Sequence, residues 1–263
     1  MANTPYENIV LSNKITSILN TKLNTKPLMT IDSDLTVSAG MTKTINVYTY
    51  TGTVEELAEG AGNTVTGTAD YVDTDYTVKT SQQKASYTDE KIMKDPTFID
   101  TIIKGMADKM VNKINADYFA ELAKVTLGVT YAKDGAISYN TVVDAVAKME
   151  FEDESGLFLI INSGMLADLR KDTLFVSAKL GEILFKGQIA TICGMPVILS
   201  NLCPAGVSYV AHKDAVTLFI KKDVTVADER DEDTRTNFAF ARMVNLIALT
   251  DATKVVKITE ALA

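Results

Sequence analysis

Among 263 residues there are one histidine and two cysteines, and there is no tryptophan. A single imidazole, His212, leaves little for metal binding or acid–base chemistry, where histidine is the usual residue. Cys193 and Cys203 have no second pair and no histidine at ligand spacing, whereas a structural zinc site needs four ligands. They read as reduced thiols packed as small hydrophobes, in an intracellular product that does not rely on disulfides. Long apolar runs are missing too. The longest, Leu157 to Ile161, falls far short of the roughly 20 residues a bilayer-spanning helix needs. Met1 to Lys14 is polar and lacks the apolar centre of a signal peptide. Basic excess is absent: a net charge of −8 and a pI near 4.8 argue against a protein that wraps nucleic acid by neutralising phosphates. These absences point away from an enzyme, a metalloprotein, a membrane protein and a sequence-reading nucleic-acid binder.

What is present is 46% hydrophobic residues, enough for one large domain or two modest ones with a substantial core. The first 35 residues are polar, broken by Pro5 and Pro27. Only Ile9, Val10, Ile15, Ile18, Leu19 and Leu23 could line a helix there. Such an arm carries too little apolar surface to fold on itself and must lie on something else. From Leu35 to Thr88 threonine, valine and tyrosine dominate, as strands prefer. Ile45–Tyr50 and Tyr71–Thr80 read as the two strands of a long hairpin. Its tip is a polar segment containing Gly52, Gly60, Gly62 and Gly67.

Asp95 and Pro96 then open a helix as cap and first turn. Ile99, Ile102, Ile103, Met106, Met110, Ile114, Tyr118, Leu122 and Val125 form one apolar stripe along it. Gly128 to Gly135 reads as a break. Ser138 caps a second helix with Val142, Val143, Val146 and Met149 inward, and Leu157–Ile161 is a buried strand. Ser163 caps a short helix to Leu169. Ile189–Cys193 and Val197–Leu199 are strands about a Gly194-Met195-Pro196 turn. Strand-like runs fill Val207–Val226, and Phe238–Leu249 and Lys254–Thr259 are two further strands. Asp228–Asp233 is a charged interruption between them.

The hairpin carries the functional reading. A two-stranded ribbon is marginal in water, and this one has a long glycine-containing tip that cannot serve as a tight turn. Tyr48, Tyr50, Tyr71, Tyr76 and Tyr87 suit half-buried contacts, so the ribbon is supported either by its parent domain or by a neighbouring subunit.

The order of parts resembles the major capsid proteins of tailed phages, the Hong Kong 97 fold. Asp95-Pro96-Thr97-Phe98 entering the long helix is similar to that family's spine helix. The run from Gly187 through Gly194-Met195-Pro196-Val197 to Ser200-Asn201, then Pro204-Ala205-Gly206, is similar to its axial-domain pattern. Ala241-Arg242-Met243 through Thr250-Asp251 to Ile258 is similar to its last peripheral strands. The resemblance covers roughly residues 30 to 260.

It implies an α+β chain with an N-terminal arm (1–35), an extended β-hairpin loop (36–90) and a peripheral domain with the spine helix (91–134). An α/β axial domain (135–222) and returning peripheral strands (223–263) complete it. The loop would lap over an adjacent subunit through Tyr48, Tyr50, Gly60, Gly62, Tyr71 and Tyr76. Arg230, Asp231, Glu232, Asp233 and Arg235 would meet neighbouring capsomers.

Function then follows by resemblance: pentamers and hexamers of this chain closing an icosahedral shell around double-stranded DNA, without sequence-specific binding. Portal and decoration proteins are implied partners, and the lack of a long N-terminal scaffolding segment leaves either a separate scaffolding protein or no scaffold, of which the former is the expectation. No cofactor, metal or membrane is implied. The virion is the destination and the host bacterial cytoplasm the place of synthesis. An encapsulin-type compartment shell shares the same fold.

The remaining motifs stay ordinary. Gly60-Ala61-Gly62-Asn63 lacks the lysine and Ser/Thr of a phosphate loop. The Asp228–Asp233 run lacks the glycine of a calcium loop and is either a solvated turn or a charged contact between subunits. A hydrolase would have to rest on Ser163 and His212, without a Gly-x-Ser-x-Gly elbow.

Overall fold

The long apolar stripe folds as expected, but shorter. The computed structural model describes residues 6–7, 9–23, 25–37, 40–95, 97–132, 135–151, 154–172 and 191–261. Chain order is β1 (Tyr6–Glu7), α1 (Ile9–Lys22), β2 (Thr30–Asp32), β3 (Thr42–Thr51), β4 (Thr68–Thr77), β5 (Lys79–Thr88), α2 (Asp89–Lys94) and α3 (Phe98–Leu122). There follow β6 (Gly128–Tyr131), α4 (Tyr139–Ala147), β7 (Leu157–Ile161), α5 (Ser163–Lys171), β8 (Thr191–Ile192), β9 (Met195–Leu199), β10 (Val207–His212), β11 (Val216–Asp231), β12 (Thr236–Leu249) and β13 (Val255–Glu260).

At 25 residues α3 is a rod of about 37 Å. Asp95 starts it: its carboxylate accepts from the Thr97 amide at 2.9 Å and the Thr97 hydroxyl at 2.6 Å. The proposed role of Pro96 lies outside the described residues. The buried surface of α3 is wider than the single stripe expected, because Ala107, Val111, Asn115 and Phe119 are buried as well. The cause is that α3 is covered twice, by the sheet on one side and by α1 on the other. Thus the arm rests on its own chain. Ile15, Leu23, Leu28 and Met29 are buried, Thr25 donates its hydroxyl to the Asn115 side chain at 2.7 Å, and Lys14–Asp100 and Lys22–Asp108 tie the two helices at 2.6 and 2.7 Å.

Gly105 sits on the exposed side of α3, where an added methyl would meet nothing within 4 Å. Gly105→Ala is therefore expected to raise subunit stability by about 1 kcal/mol. Thermal unfolding would read this as a Tm rise of about 2–4 °C.

Two sheets make up the body. The first has strand order β1-β11-β12-β5, with β2 running parallel beside β11. The second, β6-β13-β10-β7-β9-β8, is mixed, with β6 parallel to β13 and β7 parallel to β9. Strand β7 is buried along its whole length because both faces are covered. Phe158 and Ile160 join the core under α3, while Leu157, Leu159 and Ile161 join a second core under α4 and α5.

Several local expectations shift. Gly128–Tyr131 is not a break; it pairs with β13 as an edge strand. Ser138 caps α4 as expected, accepting from the Thr141 amide, but Val143 points outward and Ala145 takes the inward place. Asn162, not Ser163, caps α5, its side-chain oxygen accepting from the Gly164 amide at 3.1 Å. The β8–β9 turn falls at Cys193-Gly194, both at positive φ (49° and 77°), so Met195 and Pro196 belong to β9. This is the pattern of a two-residue hairpin loop. Residues 187–190 of the axial-domain motif lie outside the described residues. Among those described, no helix is long and apolar enough to cross a membrane.

Candidate assembly surfaces

Strands β3 and β4 pair in full register from Thr42–Thr77 to Thr51–Thr68. The expected second strand of this ribbon does not continue to Thr80. It stops at Thr77, Val78 turns into the body, and β5 joins β12 instead. Because side chains alternate along a strand, the register puts Tyr48, Tyr50 and Tyr71 on one face with Asn46, Asp73 and Asp75. Tyr76 falls on the other face with Lys43, Ile45, Val47 and Val72.

That second face anchors the base. Ile45 and Tyr76 pack on Leu35, Val78, Phe219, Leu246 and Ala248, and the Tyr76 hydroxyl donates to the Leu249 carbonyl at 3.2 Å. The Lys43 ammonium stands 5.2 Å from the Phe219 ring centre. Burial pushes the Tyr76 phenol above its ordinary pKa.

Beyond the base nothing in the described chain covers the ribbon. Tyr48 is 70%, Tyr50 72% and Tyr71 60% exposed. The rings of Tyr48 and Tyr71 lie 5.8 Å apart across the strands. The two rings thus stay exposed while packing on each other, on a face that also carries Asp73 and Asp75.

The tip is closed from within. The Glu55 carboxylate accepts from the Thr64 amide at 2.7 Å, from the Thr64 hydroxyl and from the Val65 amide. These donors, the Thr64 hydroxyl foremost, hold the Glu55 carboxyl below its ordinary range. Gly60 occupies a left-handed turn at φ 84°. Gly62 has open space around it, whereas Gly52 and Gly67 lie under the Tyr50 ring, a close approach that the sequence reading did not single out.

The acidic run behaves differently from the expectation. Asp228–Asp231 belongs to β11, and only 232–235 form the turn to β12. The Arg230 guanidinium holds Asp89 at 2.9 Å and Glu232 at 2.8 Å, and Arg235 holds Glu90 at 3.2 Å. Asp231 accepts from the Asp233 amide at 3.1 Å and the Thr234 hydroxyl at 2.8 Å, and the Thr234 contact leads in lowering its carboxyl pKa. Both arginines are thus drawn towards α2 of their own chain, a helix not expected from the sequence. Arg235, Glu232 and Asp233 nonetheless stay exposed at the turn.

Side chains with catalytic potential are dispersed. His212 pairs with Leu157 at the start of β7, and Ser163 follows the end of that strand. Five residues of strand, about 16 Å, separate them, so they make no nucleophile–base pair. His212 accepts from the Asp214 amide at 3.2 Å and lies edge-on to Phe151. Cys203 is buried with its thiol donating to the Val207 carbonyl, and burial pushes its pKa up to about 12. Cys193 is half-buried, and both thiols are free. Among the described residues no cluster of His, Cys, Asp or Glu could hold a metal ion.

Comparison with known proteins places the chain in a family. Residues 71–258 match the profile of a family described as phage capsid protein. The chain belongs to that phage capsid family. The capsid protein is 28% identical over 260 residues to the major capsid protein of Staphylococcus phage phiMR11, covering 95% of this chain and 92% of that one. Its fold matches the capsid of Cyanophage P-SCSP1u, with a TM-score of 0.69 at 11% identity over 90% of this chain and 87% of the other. It also matches a virus-like particle from Pyrococcus furiosus, with a TM-score of 0.64 at 12% identity over 95% and 97% of the two chains. The α+β capsid fold expected from the sequence is the one found, and the capsid protein is a structural component of a virion shell.

Proposed function

We propose that this chain is the major capsid protein of a tailed phage, assembling as pentamers and hexamers into an icosahedral shell around double-stranded DNA. The observation that carries this reading is the ribbon beyond Ile45, whose tyrosines its own chain leaves uncovered. A shell supplies the missing cover by repetition. Each copy laps its ribbon over the next, and many weak contacts sum to a closed particle. The lapping face is Tyr48, Tyr50 and Tyr71 with the tip around Gly60 and Gly62, while Tyr76 stays at the hinge. Arg235, Glu232 and Asp233 at the β11–β12 turn meet the neighbouring capsomer.

The arm takes residues 1–35 and the peripheral part is built on α3 with the first sheet, which claims β5 from the expected loop. The axial part is the second sheet, which takes in β6 (Gly128–Tyr131) and β13 (Val255–Glu260), both expected among the peripheral strands. A separate scaffolding protein directs closure, portal and decoration proteins complete the particle, and the chain is made in the bacterial cytoplasm. The excess of acidic residues suits the wall of a DNA container, since it does not pin the genome to the protein.

Negative-stain electron microscopy of the purified protein, with and without a co-expressed candidate scaffold, tests the reading. Closed shells are expected, equally for His212→Ala. Monomers under every condition would overturn it. Nuclease-protected DNA in shells isolated from infected cells, released only when the shell is opened, separates a phage capsid from an encapsulin-type compartment, which would hold protein cargo instead.

A further inference from the structure

The strand ladder of the ribbon ends at Thr51 and Thr68, whose hydroxyls stand 2.9 Å apart. The chain is fastened again only at Glu55, where the carboxylate accepts from the Thr64 and Val65 amides. Between these two fastenings run the legs 52–54 and 66–67. Among the described residues no hydrogen bond joins one leg to the other. Two legs without a ladder make a hinge, and what crosses this one is the Tyr50 ring.

Tyr50 stands opposite Ala69, and alternation places Gly52 and Gly67 on the same side of the ribbon. The ring runs forward between them, its Cε1 edge over Gly52 and its Cε2 edge over Gly67. A Cβ on either glycine would stand 2.7 Å from the Tyr50 Cζ, well inside the roughly 3.5–4.0 Å at which carbon atoms pack. Neither glycine takes a positive φ, so the backbone does not demand glycine there. The ring does. Glycine loosens a strand, and an aromatic ring laid across it offsets that loss.

Tyr48 and Tyr71 behave differently, since they pack on each other. Tyr50 is 72% exposed and belongs to none of the three apolar cores, so it does not hold the body together. Beyond the neck the tip presents Val54, Leu57 and Val65, all exposed.

We infer that Tyr50 is a positioning residue for assembly. Laid across Gly52 and Gly67, it keeps the neck in one orientation, so that Val54, Leu57 and Val65 reach a neighbouring copy already aimed. A swinging tip would have to be ordered at each contact, and that penalty repeats at every equivalent position of a shell. The inference rests on the lapping role proposed above and concerns how the tip is aimed, not the surface it meets.

The test compares Tyr50→Ala, Gly67→Ala, the two combined, and Tyr50→Phe in the full chain. Nitroxide labels on p-acetylphenylalanine at Lys79 of the body and Ala61 of the tip, both exposed, report the spread of their separation in dispersed subunits. Tyr50→Ala and Gly67→Ala should each broaden that spread and raise the critical concentration for shells about tenfold, with the subunit Tm unchanged within about 1 °C. The combined variant should be no worse than either alone, because one contact can be lost only once. Tyr50→Phe keeps the ring and should match the parent in both readouts. Parental assembly by Gly67→Ala beside failure of Tyr50→Ala would mean that Tyr50 touches the neighbour directly, which rejects the positioning role and leaves lapping intact. Parental assembly by both would also reject it. The chain lacking 52–67, run alongside, keeps the two failures apart: if it too closes shells, the lapping role of the tip falls as well.

Discussion

Excising Gly52–Gly67 and joining Thr51 to Thr68 through an Asn-Gly turn is expected to leave a folded subunit that no longer closes shells. The register makes the surgery local. Thr51 and Thr68 are the last directly opposed pair of the ribbon, so a two-residue loop with both residues at positive φ closes them without altering the strands. The contacts removed are internal to the tip: the Glu55 carboxylate on Thr64 and Val65, and the Ala61 amide on the Ala58 carbonyl. None reaches the cores under α3 or α4. The Tm of the dispersed subunit should therefore move by no more than about 2 °C.

Assembly should respond quite differently. The excised segment takes Glu55, Glu56 and Glu59 away from the ribbon and shortens its reach, and a lapping contact that fails once fails at every equivalent position. The measurement is particle yield by sedimentation and electron microscopy beside the melting curve. Shells at ordinary yield from the shortened chain would show that the tip has no part in lapping.

Elements whose signal is local were legible in the sequence. The α3 stripe, the Ser138 cap, the uniformly apolar β7 and the threonine- and tyrosine-rich ribbon each carry their period or cap within a few residues. What was not legible depends on partners far along the chain. Gly128–Tyr131 is a strand only because β13 lies beside it. β5 leaves the ribbon because β12, some 150 residues later, offers it ten paired positions. Arg230 and Arg235 looked available to a neighbour because Asp89 and Glu90, which hold them, belong to a helix of six residues too short to show a period. The arm's resting place was equally hidden. Its polarity announced that it lies on something, and only packing identifies that surface as α3.

The same division between body and ribbon predicts where stability resides. Leu159 is wholly buried at the centre of β7, opposite Val210 of β10 and Val197 of β9. Its neighbours Phe158 and Ile160 face the other core, so the sheet around it is held from both sides and cannot collapse into a void. Leu159→Ala should cost about 3–4 kcal/mol, the lost transfer energy plus an unfilled cavity. In a chain of this size that is a Tm drop on the order of 10 °C. Tyr48→Ala removes a larger side chain, yet one that is 70% exposed and touches Tyr71 across the ribbon. It should shift the Tm by about 1 °C or less while lowering shell yield. Measured together in dispersed subunits and in assembly, the two variants should respond in opposite ways. A large Tm loss from Tyr48→Ala would mean that the ribbon packs on its own body in solution, and the surface assigned to a neighbouring copy would then be already occupied.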